Sequence, residues 1–264
     1  MQLSVLLQAA SEVAQLAAKT AMPWYHRPID IETKHDGSPV TIADREGERV
    51  AREWIATRFP LDGIHGEEFG LERGDANRRW LLDPIDGTKA FVRGVPLWGT
   101  IVACCEGDRV LAGAACYPAL GEVVAAAPGE GCWWNGSRTH VSTVDTLSAA
   151  TAVTTDDRFL ERPYRSEQWR ALASQVGVAR TWGDCFGYLL VATGRADIMV
   201  DDIVNPWDAA AFFPIIEEAG GRFTSWGGTS TAFGDSVIAT NAHVGTATRD
   251  ILFEPTHPSR MAAV

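Results

Sequence analysis

Apolar positions near the start of the chain recur at helical spacing, at Leu3, Leu6, Ala10, Val13 and Leu16 or Ala17. This predicts an amphipathic first helix. The stretch MQLSVLLQAASEVAQLAAKTAM has no basic run ahead of its apolar residues, so it reads as that helix and not as a secretory signal. A Gly-Ser-Pro turn at positions 37–39 precedes a second helical pattern, which starts near Thr41 to Asp44 and stops before Pro60. From Trp80 the pattern turns to strands. WLLDPIDG reads as a strand running into a turn, VPLWGTIVACCEGDRVLAGAACYP as two strands joined at Glu106-Gly107-Asp108, and EVVAAAPGEGCWWNG as further strands. Beyond residue 142 strands alternate with helices. ATAVTT is a strand, 159–176 a helix, GDCFGYLLVATGRADIMVD a helix then a strand, NPWDAAAFFPIIEEAGG one helix closed by glycines, and SVIATN a strand. The predicted fold joins an α+β half with an antiparallel sheet, 1–142, to an α/β half with a mixed or parallel sheet, 143–264, without a linker.

Composition narrows the classes. A chain of 264 residues that is 46% hydrophobic can bury a sizeable core. Its 34 acidic and 23 basic residues leave a net charge of -11, which argues against nucleic acid and makes cations the more natural guests, although solubility alone also accounts for such a balance. Five cysteines without a C-x-x-C pair suggest neither a disulfide framework nor a zinc cluster, but buried thiols in a reducing, cytoplasmic setting. No run approaches the ~18 apolar residues of a membrane span.

Candidate chemistry centres on acids. Asp83 and Asp86 sit three apart at the tip of WLLDPIDG, with Pro84 fixing a backbone angle between them and Gly87 permitting a tight turn. Unpaired, two carboxylates and an exposed carbonyl at one point repel; a hard divalent ion such as Mg²⁺ resolves the repulsion. Gly66-Glu67-Glu68 lies just ahead, and Asp208 opens a later helix in Asn205-Pro206-Trp207-Asp208. Each has an ordinary alternative: a surface turn, a solvated acidic face, favourable charge at a helix start.

Taken together, TKHDGSPVTIADREGE, GEEFG, WLLDPIDGTKAFVRG and NPWDAAAFFPIIEEAGG resemble the inositol monophosphatase superfamily of Mg²⁺-dependent, lithium-sensitive phosphatases, in order and spacing from about residue 30 to 240. The resemblance implies a layered αβαβα sandwich. It makes Glu67, Asp83 and the carbonyl of Ile85 ligands of one ion, Asp83, Asp86 and Asp208 ligands of a second, and places a third, largely hydrated ion near Glu67. It assigns Thr88 and Asp44 to orienting and deprotonating the attacking water, with Glu67 alongside, and the N–H groups of Gly87 and Thr88, with Lys34, to the phosphate. In isolation Thr88 and Asp44 would equally be helix caps, and Lys34 an exposed lysine. The resemblance also suggests a homodimer, paired near FVRGVPLW, and the Trp133-Trp134 pair is a second candidate for an interface.

The leaving group of such an enzyme lies against WGDCFGYLLVATGRADIMVDD, where Asp184 and Asp201 are candidates to face it. Two extra acids suit a cationic alcohol, and this run together with DPIDGTKAFVRGVPLWGT looks most like the histidinol-phosphate phosphatases of the superfamily. Asp184 has an alternative as the cap of a helix at Cys185. An inositol 1-phosphate phosphatase would share every metal ligand. A 3′-phosphoadenosine 5′-phosphate phosphatase would need basic and aromatic groups, for which Trp182, Phe186, Tyr188 and Arg195 are candidates, and a silent binding or scaffold protein would have lost a ligand. The tail EPTHPSRMAAV has no periodic pattern and no assigned role.

Overall fold

The computed structural model describes residues 2–35 and 37–252, so the tail EPTHPSRMAAV lies outside the described residues. Helix α1 (Leu3–Ala21) buries Leu6, Ala10, Val13 and Ala17 along one face, as the spacing predicts. A short hairpin, β1 (Glu32–Thr33) and β2 (Pro39–Val40), leads into α2 (Ile42–Arg58), which Thr41 caps in a reciprocal box with Asp44. Then follow β3 (Gly63–Gly66), β4 (Gly70–Glu72), β5 (Arg78–Asp86), the one-turn helix α3 (Thr88–Phe91), β6 (Gly99–Glu106), β7 (Arg109–Tyr117), β8 (Glu122–Ala127), β9 (Gly131–Trp134) and β10 (Ser137–Arg138). These strands form an eight-stranded sheet in the order β10-β9-β8-β7-β6-β5-β3-β4. It is antiparallel except where β3 runs parallel to β5, a pairing that the hairpin-like sequence does not announce.

The second half builds a five-stranded mixed sheet. Its elements are β11 (Thr151–Thr154), α4 (Pro163–Ala173), β12 (Val178–Arg180), α5 (Cys185–Ala192), β13 (Ile198–Asp201), α6 (Pro206–Ala209), α7 (Phe212–Glu218), β14 (Arg222–Thr224), β15 (Val237–Thr240) and α8 (Gly245–Leu252), with strand order β12-β11-β13-β15-β14. Two expectations are corrected. The helix foreseen over 159–176 starts only at Pro163, a residue suited to the first helical position, while Phe159 sits at φ 47° and turns into the core against Trp169 and Trp226. The single helix foreseen after Asn205 is two, because a proline at 214 would clash with the carbonyl four residues back; the helix restarts at Phe212, which leaves Pro214 in a first turn.

Alternation along the central strands sorts the layers. Trp80, Leu82, Val102 and Cys104 pack with α1 and α2, whereas Leu81, Ile101, Ala103 and Cys105 pack with α5, α7 and the inner face of the second sheet. The outer face of that sheet, Ile198, Val200 and Ile238, is covered by Trp169 of α4 and Leu252 of α8. The result is an αβαβα sandwich in which β5 is buried on both faces. All five cysteines are free and buried, and no helix among the described residues is long and apolar enough to cross a membrane. Leu82 is 2% exposed and Leu61 86%. Leu82→Ala is expected to cost about 2–5 kcal/mol in urea unfolding, and Leu61→Ala less than about 0.5 kcal/mol.

Candidate active site

In a regular strand, residues three apart face opposite ways, which would separate Asp83 from Asp86. The ladder of β5 with β6 is broken between them: Asp83 pairs with Ile101, Asp86 with Gly99, and Pro84 and Ile85 are left as an irregularity. Asp83 Oδ1 accepts the Ile85 N–H at 3.0 Å and Thr100 Oγ1 donates to the Pro84 carbonyl at 2.7 Å, so the freed backbone groups are satisfied. The irregularity turns Asp86 towards Asp83. From α6, Asp208 joins them; its Oδ2 accepts the Asn205 N–H at 2.7 Å in a capping box. One oxygen of each carboxylate lies within 4.8 Å of the others. Asp208 therefore fills the helix-start role and the cluster role together.

Asp44 and Thr88 also come together. Asp44 Oδ2 accepts from Thr41 N at 2.8 Å and Thr41 Oγ1 at 2.6 Å, while Thr88 Oγ1 stands 3.4 Å from Asp44 Oδ1 and donates to the Ile85 carbonyl at 2.9 Å. Gly87, at φ 85°, caps α3, leaving the Thr88 hydroxyl free of that duty. Glu67 lies outside the three-carboxylate group but close enough to raise Asp83, and its backbone N–H donates to Leu82 O at 3.1 Å. Lys34, expected on the phosphate, donates to Glu67 Oε1 at 2.7 Å and Glu68 Oε1 at 2.6 Å.

Beside the cluster is a cavity of about 120 Å³ walled by Asp86, Thr155, Asp184, Tyr188, Asp201 and Asp208, among other residues, with no basic side chain in its lining. Asp184 stands at the N-cap position of α5, yet its side chain makes no capping bond and its backbone sits at φ 49°. Its N–H donates to Thr155 Oγ1 at 2.8 Å, and Thr155 Oγ1 donates to Asp201 Oδ1 at 2.5 Å. Tyr188 donates to Asp201 Oδ2 at 2.7 Å and stacks on Phe212 at 4.5 Å. Sequence reading missed Thr155, which lies in no motif, and did not place Tyr188 on Asp201; only the fold brings both to it. Arg195 is tied to Glu122 and lies over Trp134, and Phe186 packs edge-on to Tyr117.

The electrostatics follow from packing acids where water is scarce. Burial, then Glu67, Asp86 and Asp208, push Asp83 well above the usual carboxylate range. Burial, then Asp184 and Asp208, do the same to Asp86, whose Oδ2 accepts the Cys185 N–H. Burial pushes Asp208 up to about 7 against the hydrogen bonds from Asn205, and burial with Asp201 takes Asp184 to about 7. Asp201 reaches about 6, burial outweighing the hydroxyls of Thr155 and Tyr188. Burial also raises Asp44. Converging oxygens with no cation among them are a donor set that fits Mg²⁺.

Comparison with known proteins gives a consistent picture. The model of the inositol monophosphatase family matches residues 2–254. The chain is 41% identical over 241 residues to a histidinol-phosphatase of Chlorobaculum parvum, covering 90% of this chain and 93% of the relative. It is 40% identical over 218 residues to a histidinol-phosphatase of Mycobacterium tuberculosis, covering 81% and 84%. A solved inositol monophosphatase from Zymomonas mobilis superposes with a TM-score of 0.84 at 30% identity, over 96% of this chain and 99% of that one.

The raised carboxyls predict a pH dependence of stability. Asp208 binds its proton near pH 7 when folded and near about 3.9 when unfolded. The folded state thus holds more protons between these values, so this group's contribution is most favourable below the lower one and declines as pH rises to the upper. In chelator, Asp208→Asn is expected to raise the melting temperature at pH 8 by several degrees and to change it little at pH 4. Scanning calorimetry at both pH values checks this.

Proposed function

Because the chain belongs to the inositol monophosphatase family, we propose that this phosphomonoesterase hydrolyses L-histidinol phosphate to histidinol and phosphate, as a Mg²⁺-dependent step of histidine biosynthesis in the cytoplasm. The observation that carries the substrate is the acidic cavity beside the three-carboxylate cluster, where Asp184 and Asp201 stand without a basic neighbour in the lining. A primary ammonium and an imidazole are complementary to it. The similarity to histidinol-phosphatases supports the same choice.

In this reading the halves 1–142 and 143–264 share one site, the first supplying most ligands and the second Asp208 and the leaving-group wall. Asp83, Asp86 and Asp208 would hold one Mg²⁺, and Glu67, Asp83 and the Ile85 carbonyl another, with a third, hydrated ion near Glu67. Bound Mg²⁺ supplies charge neutralisation to the phosphate and makes water acidic enough to attack at neutral pH. Thr88 orients the attacking water and accepts its proton while passing its own to Asp44, whose burial makes it a better base. The water oxygen bonds to phosphorus as the P–O ester bond breaks in line, and the leaving oxygen takes a proton from a solvent water, so that the group departs as the alcohol towards Asp184 and Asp201. The Gly87 and Thr88 N–H groups hold phosphate oxygens. Lys34 adds positive charge from its place on Glu67 and Glu68. A homodimer paired near 91–98 completes the reading; there Val95 is exposed, whereas Phe91 and Trp98 are buried within the chain itself.

Phosphate release from histidinol phosphate, inositol 1-phosphate, 3′-phosphoadenosine 5′-phosphate and fructose 1,6-bisphosphate, with Mg²⁺ and with chelator, tests the assignment. The expected kcat/KM strongly favours histidinol phosphate and falls about 10–100-fold in Asp184→Ala, the range for a lost charge-assisted hydrogen bond. Equal or better rates on another ester would overturn the substrate, and no turnover on any would favour a binding protein. Thr88→Ala and Asp44→Asn should each lower kcat by about 10²–10⁴-fold, with Mg²⁺ affinity unchanged in calorimetric titrations.

A further inference from the structure

Directly behind Glu67 lies a charged pair that the proposed chemistry does not use. Glu48 of α2 is completely buried. Its Oε2 accepts the Glu68 N–H at 2.7 Å, and its Oε1 accepts the Phe69 N–H at 3.1 Å and Arg52 Nε at 2.7 Å. Arg52 Nη2 in turn donates to the Gly70 carbonyl at 2.5 Å, and the guanidinium lies 5.9 Å from the centre of the Phe69 ring. One helical turn thus grips three successive residues by their main chain, Glu68 and Phe69 of the loop after β3 and Gly70 at the start of β4. The fit leaves no spare room, since a Cβ on Gly66 would stand 2.1 Å from Glu48 Oε1.

We propose that Glu48, held by Arg52, is a positioning residue for Glu67 and sets the affinity of the site for its divalent cation. The inference rests on the reading of Glu67 as a metal ligand. The two peptides that flank the Glu67 Cα are each held, the first by Glu67 N–H on Leu82 O at 3.1 Å and the second by Glu68 N–H on Glu48. These two bonds set where the Glu67 side chain leaves the backbone. Loss of the buried acceptor would leave two amide donors unpaired beside a cluster of acids, and the turn would re-orient. Lys34 alone cannot hold it, because that ammonium bonds to the carboxylates and not to the main chain.

Calorimetric titration of chelator-stripped protein with MgCl₂ is the test, on wild type, Glu67→Gln, Glu48→Gln and Gly66→Ala, with steady-state kinetics alongside. Glu48→Gln and Gly66→Ala are expected to weaken Mg²⁺ binding by about 10–100-fold, the usual effect of losing a partner that orients a ligand. At saturating Mg²⁺ both should retain the wild-type KM for the ester, which general loosening of the fold would not spare. If Glu67→Gln weakens Mg²⁺ binding while folded Glu48→Gln and Gly66→Ala bind it as wild type does, the positioning role is overturned and the ligand reading stands. Unchanged affinity in Glu67→Gln overturns both. Should Glu48→Gln fail to fold, Gly66→Ala and Arg52→Lys, which keep the buried carboxylate, decide the matter.

Discussion

Mutual repulsion among Asp83, Asp86 and Asp208 is the constraint around which the molecule is arranged. Their oxygens converge within 4.8 Å, in surroundings that push all three carboxyls well up. A chain left to relax would spread them into water. Here the strand that carries two of them is buried on both faces by α1 and α2 on one side and by α5 and α7 on the other. The cluster is therefore held by apolar packing, in a place where burial and the neighbouring acids favour the protonated carboxyls and where a bound cation would stabilise the ionised ones.

Rigidity and local distortion divide the labour. The ladder on either side of Pro84-Ile85 is regular, and only the break in register lets two residues three apart share a face. Four of the acids at the site also accept hydrogen bonds from the backbone. Asp44 and Asp208 each serve in a capping box, Asp83 accepts the Ile85 N–H, and Asp86 accepts the Cys185 N–H. Such bonds occupy one side of each carboxylate and leave the other for the centre, so orientation is fixed without neutralising the charge.

Much of this was legible because the signals are local. The period of α1, the hairpin strands and the start of α2 near Thr41 to Asp44 can each be read within a few residues. What failed was non-local or depended on a single residue's sterics. The parallel pairing of β3 with β5 has no sequence marker, since it rests on which strands the sheet brings together. Pro163 and Pro214 moved helix boundaries that apolar spacing alone blurred. At the site, the acids in motifs were visible, whereas Thr155 and Tyr188 gain their place only when β11, α5 and β13 meet. Lys34 was foreseen in the right neighbourhood, but burial beside two glutamates decides its partner.

The cavity wall that carries Asp184 and Asp201 is one hydrogen-bonded unit and not two independent acids. Thr155 Oγ1 accepts from the Asp184 N–H and donates to Asp201, and Tyr188 holds the other Asp201 oxygen. Asp201 thus spends both oxygens on the protein, while the Asp184 side chain makes no capping bond at the start of α5. The physical division that follows is that Asp184 is the better placed to meet a cationic group directly, and Asp201 contributes mainly negative potential together with the position of its partners. In the proposed reaction, selectivity would then arise from how this hydrogen-bonded unit sets the potential of the wall.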